Sequence, residues 1–366
     1  MNQKKNGNAR FVIWTVIALL AVLLLVPSAM VVDAGAEEEV PEETILEDIG
    51  EQEVTADGHV IGWTREELPE YEPVELENPD AEPLPMGEKK KDQVIPAPYA
   101  PHAESFLPDG EGYVDSTISV RIETRIIMNT KVFFTFVQIA DPSQLRTYSI
   151  RNGSVKDNAE KVKSVLAVNG DWYTAKEKKG NGVIWRNGVR KRNVDHGIYD
   201  GLFIDRNGDF HILRHPKKGA VADAPFADNI MHSFVFGPAL VIDGEIVHLD
   251  GTPGFITGAK RNTTDEILAR TVGSFKSTQR AALCQMGPLS YLIITTEGPE
   301  QSEGGGFSTD QMARLAWDMG AQQAFNIDGG TSAQLVIGTE RLNALGNGGK
   351  SNRAVGDMIF FATAEP

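Results

Sequence analysis

Three Asx-Gly dipeptides constrain the fold of this chain more than any other feature. Asn187-Gly188 sits inside VIWRNGVR, Asn207-Gly208 inside GLFIDRNGDFHIL and Asp243-Gly244 inside ALVIDGEIVHL. Each is flanked by apolar and β-branched residues, and such dipeptides supply the positive φ angles that two-residue hairpin turns need. Earlier segments, STISVRIETRIIM and KVFFTFVQI, mix β-branched and aromatic residues with partial alternation, and Asp141-Pro142 closes the second as a turn. The hairpins are unevenly spaced with unlike flanks, which argues against a solenoid of repeats.

One helix interrupts the strands. Ser308 or Thr309 can cap a helix from about Asp310, with Met312, Leu315, Ala316 and Met319 on one face and Gly320 ending it. The order is then strand (LSYLIITT), Gly-rich loop, helix, strand (AFNI), for which a right-handed crossover is expected if the strands are parallel. Glu297-Gly298 and Asp328-Gly329-Gly330 would then end their strands on one edge. The expected fold is α/β (α+β): a strand-rich mixed central sheet flanked by helices, a single domain over residues 113–366 after a disordered stalk.

The N-terminus reads differently. Lys4, Lys5 and Arg10 precede an apolar run from Phe11 to Val32, long enough to cross a bilayer, and Ala34-Gly35-Ala36 offers a small-residue cleavage pattern. Residues 1–36 are thus a signal anchor or a signal peptide. The length of the run favours a single-pass anchor in the cell membrane with an extracytoplasmic domain, and cleavage would make the protein secreted. Between Glu37 and Glu82 lie 18 acidic residues against Arg65 alone, a local balance of −17 in a chain whose total is −16. With its prolines this stretch, 37–112, reads as an acidic, self-repelling spacer. No nucleic-acid partner is expected.

Cys284 is the sole cysteine and has apolar neighbours, so it reads as a buried thiol and no internal disulfide can form. No CxxC, HExxH, GxSxG or P-loop pattern occurs. His196, His211, His215, His232 and His248 show no metal spacing and read as surface or turn residues. Trp172 and Tyr173 fit a sugar-stacking wall or core packing equally.

Two strand ends share one grammar. VKSVLAVNGDWY runs from apolar residues into Asn169, Gly170 and Asp171; QQAFNIDGGTSAQLV runs into Asp328, Gly329 and Gly330 before two hydroxyls. Taken in order, AVNGDWY, GPALVIDGEIV, QRAALC, YLIITTEG, GGFSTDQMARLAWDMGA, NIDGGTSAQLV and NRAVGDMIFF resemble the phosphodiester glycosidase family. That family includes the N-acetylglucosamine-1-phosphodiester α-N-acetylglucosaminidases and a bacterial exopolysaccharide-related branch.

The resemblance implies hydrolysis of the C1–O bond of a sugar-1-phosphodiester, releasing free sugar and a phosphomonoester. It places the family's Asn-Gly turn on Asn169 and Gly170, its arginines on Arg280 and Arg353, and its Asp-Gly-Gly-x-Ser on Asp328, Gly329, Gly330 and Ser332. Two departures stand out. Asp171-Trp172-Tyr173 follows the Asn-Gly turn where many members carry an aromatic pair, and Glu297-Gly298-Pro299 stands where many carry an arginine.

The chemistry needs an anion cradle, a carboxylate facing the anomeric carbon, and a base or second carboxylate to place water. Arg280 and Arg353 can grip phosphate oxygens, and Gly304, Gly305 and Gly306 at a helix start can present N–H groups. Asp328 is the first candidate for stabiliser, nucleophile or water base, with Asp171 and Glu297 as candidates for the second carboxylate. Ser332 reads as a hydrogen-bonding residue. No cofactor is required; Asp171 and Asp328 could together offer oxygens to Ca²⁺ or Mg²⁺, though the spacing does not demand a metal. The expected partner is a sugar-phosphate or glycan substrate at the envelope. The competing reading is a non-catalytic glycan-binding or exopolysaccharide-assembly protein using the same cleft.

Overall fold

The Ile118–Ile127 and Thr130–Ile139 strands form one long antiparallel hairpin. Its turn is Met128-Asn129, both at positive φ (47° and 56°), a hairpin geometry reached without a glycine. The hairpins expected at 187–188 and 243–244 also have both turn residues at positive φ, whereas at 207–208 only Gly208 does.

The computed structural model describes residues 53–54, 60–86, 95–150, 153–171, 183–192, 200–235, 237–247, 277–299, 304–345 and 352–366. The N-terminal anchor, Trp172, Tyr173, His196 and His248 lie outside them. Among the described residues no helix is long and apolar enough to cross a membrane. Residues Glu51–Pro366 make up one compact unit.

Two sheets face each other. The larger has eight strands, in spatial order Glu245–Ile246, Ala239–Ile242, Gln323–Ile327, Ala281–Gly287, Ser290–Thr296, Thr130–Ile139, Ile118–Ile127 and Gly112–Val114. The smaller has five: Glu340–Arg341, Leu335–Ile337, Leu166–Asn169, Asp357–Phe361 and Leu145–Ser149. Alternate residues of both meet in one core that includes Phe133, Leu283, Ile293, Phe325 and Ile327 from the larger sheet and Leu166, Val168, Leu335, Ile359 and Phe361 from the smaller. A three-stranded sheet (Phe210–Leu213, Gly201–Asp205, Ile230–Phe234) adds Leu202, Ile204 and Phe234 to it.

The central strands of each sheet also bury their outer face, which is why they read as nearly continuous apolar runs. Helix Thr309–Asp318 covers the larger sheet with Met312, Leu315 and Ala316. Ser308 is its cap, in a capping box with Gln311. Helix Val155–Val162 covers the smaller sheet with Val155, Ala159 and Val162.

The expected crossover through helix Thr309–Asp318 is present, with one strand between its ends. Ser290–Thr296 and Gln323–Ile327 each pair antiparallel with Ala281–Gly287, so they run parallel to one another while every described ladder is antiparallel. Both strands therefore finish on the same edge, as expected, with Arg280 entering between them.

The spacer reading does not extend through residues 62–86 and 95–112. Trp63 stacks on Phe307 at 5.8 Å and donates to Asp318 at 2.9 Å. Tyr71 stacks on Phe136 at 5.7 Å. Leu68 joins the core beneath helix Thr309–Asp318, and Leu84 and Ala97 join the one beneath helix Val155–Val162. The charge density of this segment hides a few well-spaced apolar side chains, and their burial against the sheets offsets its self-repulsion.

Candidate active site

At one edge of the sandwich the larger sheet contributes the ends of Ser290–Thr296 and Gln323–Ile327 and the start of Ala281–Gly287. The smaller contributes the end of Leu166–Asn169 and the start of Asp357–Phe361. Two hydrogen bonds tie the sheets together there. Asp328 N–H donates to Gly170 O at 3.1 Å, and Asn169 Nδ2 donates to Asp328 O at 2.6 Å. The two turns that share a sequence grammar thus meet each other.

Asp328 keeps part of its surface exposed, yet its carboxyl is pushed up to about 7, foremost by burial. The Ser332 hydroxyl and the charge of Arg353 oppose that rise, while the charges of Asp171 and Asp357 add to it. Asp171 is buried and raised to about 6, by burial first and then by Asp357, against the pull of Arg186. Its Oδ1 accepts the Val235 N–H at 3.0 Å and its Oδ2 accepts Arg186 Nη2 at 3.0 Å. Two carboxyls that titrate near neutrality therefore stand beside each other, and only Asp328 is open to a ligand.

Arg353 is exposed; its Nη1 donates to Thr331 Oγ1 at 2.6 Å, and its charge acts on Asp328. Arg280 is buried, with Nε donating to Phe307 O at 3.0 Å and its backbone N–H to Thr296 Oγ1 at 2.9 Å. Gly329 and Gly330 run close along the start of the Ala281–Gly287 strand, where Gly330 N–H donates to Gln279 O at 2.8 Å.

Other expectations are redistributed. The N–H groups of Gly306, Phe307 and Ser308 are engaged by Thr130 Oγ1, Thr278 O and Gln311 Oε1, which takes Gly306 out of the N–H cradle expected there. Gly306 has φ of +72° and an added Cβ would meet Thr278 O at 2.4 Å, so its glycine serves close loop packing. Gly305 alone of the three is exposed. Glu297 is buried and accepts the Ala344 N–H at 2.8 Å, and its charge acts on Arg341, which ties it to the 341–344 turn.

His232 is buried, not superficial. Its Nε2 faces Leu145 O at 3.1 Å, and its Nδ1 accepts the Asn187 N–H at 3.2 Å. Cys284 is buried as expected, and burial raises its thiol well above the ordinary range.

Arg186 and Asp357 belong to the site and escaped the sequence reading. Asp357 does carry a signal, since it begins the apolar run DMIFF as Asp328 ends NID; Arg186, ahead of an Asn-Gly turn, carries none. As for a cation, each oxygen of Asp171 already accepts a hydrogen bond, from Arg186 Nη2 and from the Val235 N–H. Among the described residues no group of three or more His, Cys, Asp or Glu side chains could hold a metal ion.

The family model for phosphodiester glycosidase matches residues 162–362, more than half of the chain and every strand end of the edge just described. The chain belongs to the phosphodiester glycosidase family. It is accordingly a glycosidase, and its site residues fall within the matched region.

No curated protein matches the chain in a sequence search. Among solved structures, the zebrafish N-acetylglucosamine-1-phosphodiester α-N-acetylglucosaminidase catalytic domain, described as auto-inhibited by its pro-peptide, is similar. It shares 16% identity at a TM-score of 0.56 over 71% of this chain and 86% of that one, a likeness of fold. A hypothetical protein from Synechocystis shares 12% identity at a TM-score of 0.43, over 67% of this chain and 62% of that one.

Proposed function

We propose that this phosphodiester glycosidase cleaves the C1–O bond of a sugar-1-phosphodiester, GlcNAc-1-phosphodiester-like, to give free sugar and a phosphomonoester. The observation that carries the reading is the Asp328 carboxyl, partly exposed, pushed up to about 7 and subject to the charges of a cation, Arg353, and a buried carboxyl, Asp171.

The phosphomonoester leaving group has a second pKa of about 6, so its departure needs little protonation. The demand falls on the sugar side. As C1–O lengthens, positive charge grows at the anomeric carbon, and an ionised Asp328 facing it stabilises that charge or activates the attacking water. Asp171, with both oxygens engaged, supports the same charge from behind without moving. Arg353 takes the phosphate oxygens, the buried Arg280 adds positive charge behind them, and the hydroxyls of Thr331 and Ser332 and the Asn169–Gly170 turn line the approach. Glu297 is assigned to holding its turn.

We place this chemistry outside the cytoplasm, on the membrane through the N-terminal apolar run, with envelope glycan phosphodiesters as substrates. Protease protection of the domain in intact cells, lost in permeabilised ones, would overturn that placement.

The activity is tested with the chain from residue 60 onward on a panel of sugar-1-phosphodiesters, scoring released reducing sugar for wild type and Asp328→Asn. Release by the wild type that folded Asp328→Asn loses supports the assignment. No release across the panel, or release that Asp328→Asn leaves intact, overturns it.

A further inference from the structure

Arg186 is a buried arginine with nothing left to offer a ligand. Its Nε donates to Asp357 Oδ2 at 2.8 Å, and Nη2 donates to Asp171 Oδ2 at 3.0 Å and also to Asp357 Oδ2. Nη1 donates to Trp185 O at 2.8 Å and to Ser233 O. The guanidinium also lies over the Phe234 ring, 4.7 Å from its centroid. A guanidinium has five N–H donors, and here each has an acceptor. Unlike the exposed Arg353, this side chain is not available to substrate phosphate.

What it holds is a continuous line of contacts ending at Asp328. Asp357, anchored by Arg186 through Oδ2, accepts the Asp171 N–H with Oδ1 at 2.8 Å. Its backbone O accepts the Gly170 N–H at 3.1 Å. Gly170 has no room for a side chain, because a Cβ there would stand 2.3 Å from Asp357 Oδ1. Gly170 O and the Asn169 amide then take hold of the Asp328 backbone from the other sheet. Without Arg186, two buried carboxylates would face each other with no counter-charge, an arrangement that pushes such groups apart or protonates them.

We infer that Arg186 and Asp357 are positioning residues of this glycosidase, a brace that fixes the Asn169–Asp171 turn against Asp328 across the two sheets. The inference rests on the reading of Asp328 as the working carboxyl. The groups that face Asp328 are Asp171, Asp357, Arg353 and the Ser332 hydroxyl, and Arg186 sets the placing of the first two.

The test uses Arg186→Lys, Arg186→Ala and Asp357→Asn, each shown to be folded by its melting curve. A lysine cannot span two carboxylates and two carbonyls, so Arg186→Lys should lower kcat about 100-fold, the cost of misplacing a reacting group by about 1 Å, with KM changed only a few-fold. Millimolar guanidinium, and not ammonium at equal ionic strength, should restore part of the kcat of Arg186→Ala.

A readout independent of turnover separates this inference from the substrate assignment. In ¹³C-carboxyl-labelled protein, the resonance that Asp328→Asn removes should titrate at lower pH in Asp357→Asn, because a negative neighbour is gone. That shift supports the brace even if no substrate in the panel is cleaved. An unchanged titration in folded Asp357→Asn, or wild-type kcat in Arg186→Lys, overturns it.

Discussion

Asp328→Asn should make the folded protein more stable at pH 8 while removing the carboxyl on which the proposed chemistry turns. Burial keeps that carboxyl protonated up to about 7, against 3.8 for an ordinary aspartate. Between those values the folded state holds a proton that the unfolded chain has released, so the contribution of this group to stability falls as pH rises through the interval. Below 3.8 both states are protonated and the group costs nothing; above about 7 both are ionised and the full cost is present. At about 1.4 kcal/mol per pH unit the interval is worth about 4 kcal/mol. Because Asp328 is partly exposed, solvent screening reduces this, and roughly half, about 2 kcal/mol, is the figure to expect. In a domain of this size that corresponds to about 4–8 °C in Tm. Asp171, raised to about 6, titrates in both proteins and largely cancels in the difference. Thermal melts of the two proteins at pH 4 and pH 8 measure it: the advantage of the variant should be large at pH 8 and nearly absent at pH 4. A difference in Tm that stays constant between these pH values refutes the burial assigned to this carboxyl.

Further outcomes follow from other contacts. Arg353→Ala should raise KM for a phosphodiester about 10–100-fold, as loss of one charge-assisted hydrogen bond does, with little change in Tm, since the side chain is exposed; steady-state kinetics check both halves. Gly306→Ala should cost about 1–3 kcal/mol, because its φ is +72° and a Cβ would meet Thr278 O at 2.4 Å; urea unfolding measures it. A chain begun at residue 95 should melt well below one begun at residue 60. Leu68 and Leu84 are each more than nine-tenths buried, and such side chains contribute about 1.5–3 kcal/mol apiece. Equal Tm values for the two chains would show that residues 60–94 do not stabilise the domain.

What was legible in the sequence is what local chemistry dictates. The Asx-Gly turns at 187–188 and 243–244 need positive φ at both positions, and only a short menu of residues meets that need cheaply. The Met128-Asn129 turn was not legible for the same reason in reverse: it adopts the geometry with a residue that rarely supports it, because the paired strands on either side impose it. In the same way, an acidic average hid Trp63, Leu68, Tyr71 and Leu84. A charge count sums over a segment, whereas docking depends on where a few apolar side chains fall relative to the two sheets.

The site divides along the same line. Asn169, Gly170 and Asp328 announce themselves because a strand that ends in Asx-Gly must turn sharply, and two such ends in one chain invite the thought that they face each other. Arg186 and Asp357 are 171 residues apart, and each alone is an ordinary charged residue beside a strand. Their meaning arises only when the smaller sheet brings Asp357 beside Gly170 and the 184–192 hairpin lays Arg186 over Phe234, so that one guanidinium finds two carboxylates in a place water does not reach. A buried charge is tolerated only with its partners in place, so the cost of an incomplete set falls on the whole domain. A brace of this kind therefore links the accuracy of the site to the correct meeting of the sheets: a chain that has not brought the sheets together has no assembled site, and one that has brought them together has Asp328 already fixed in place.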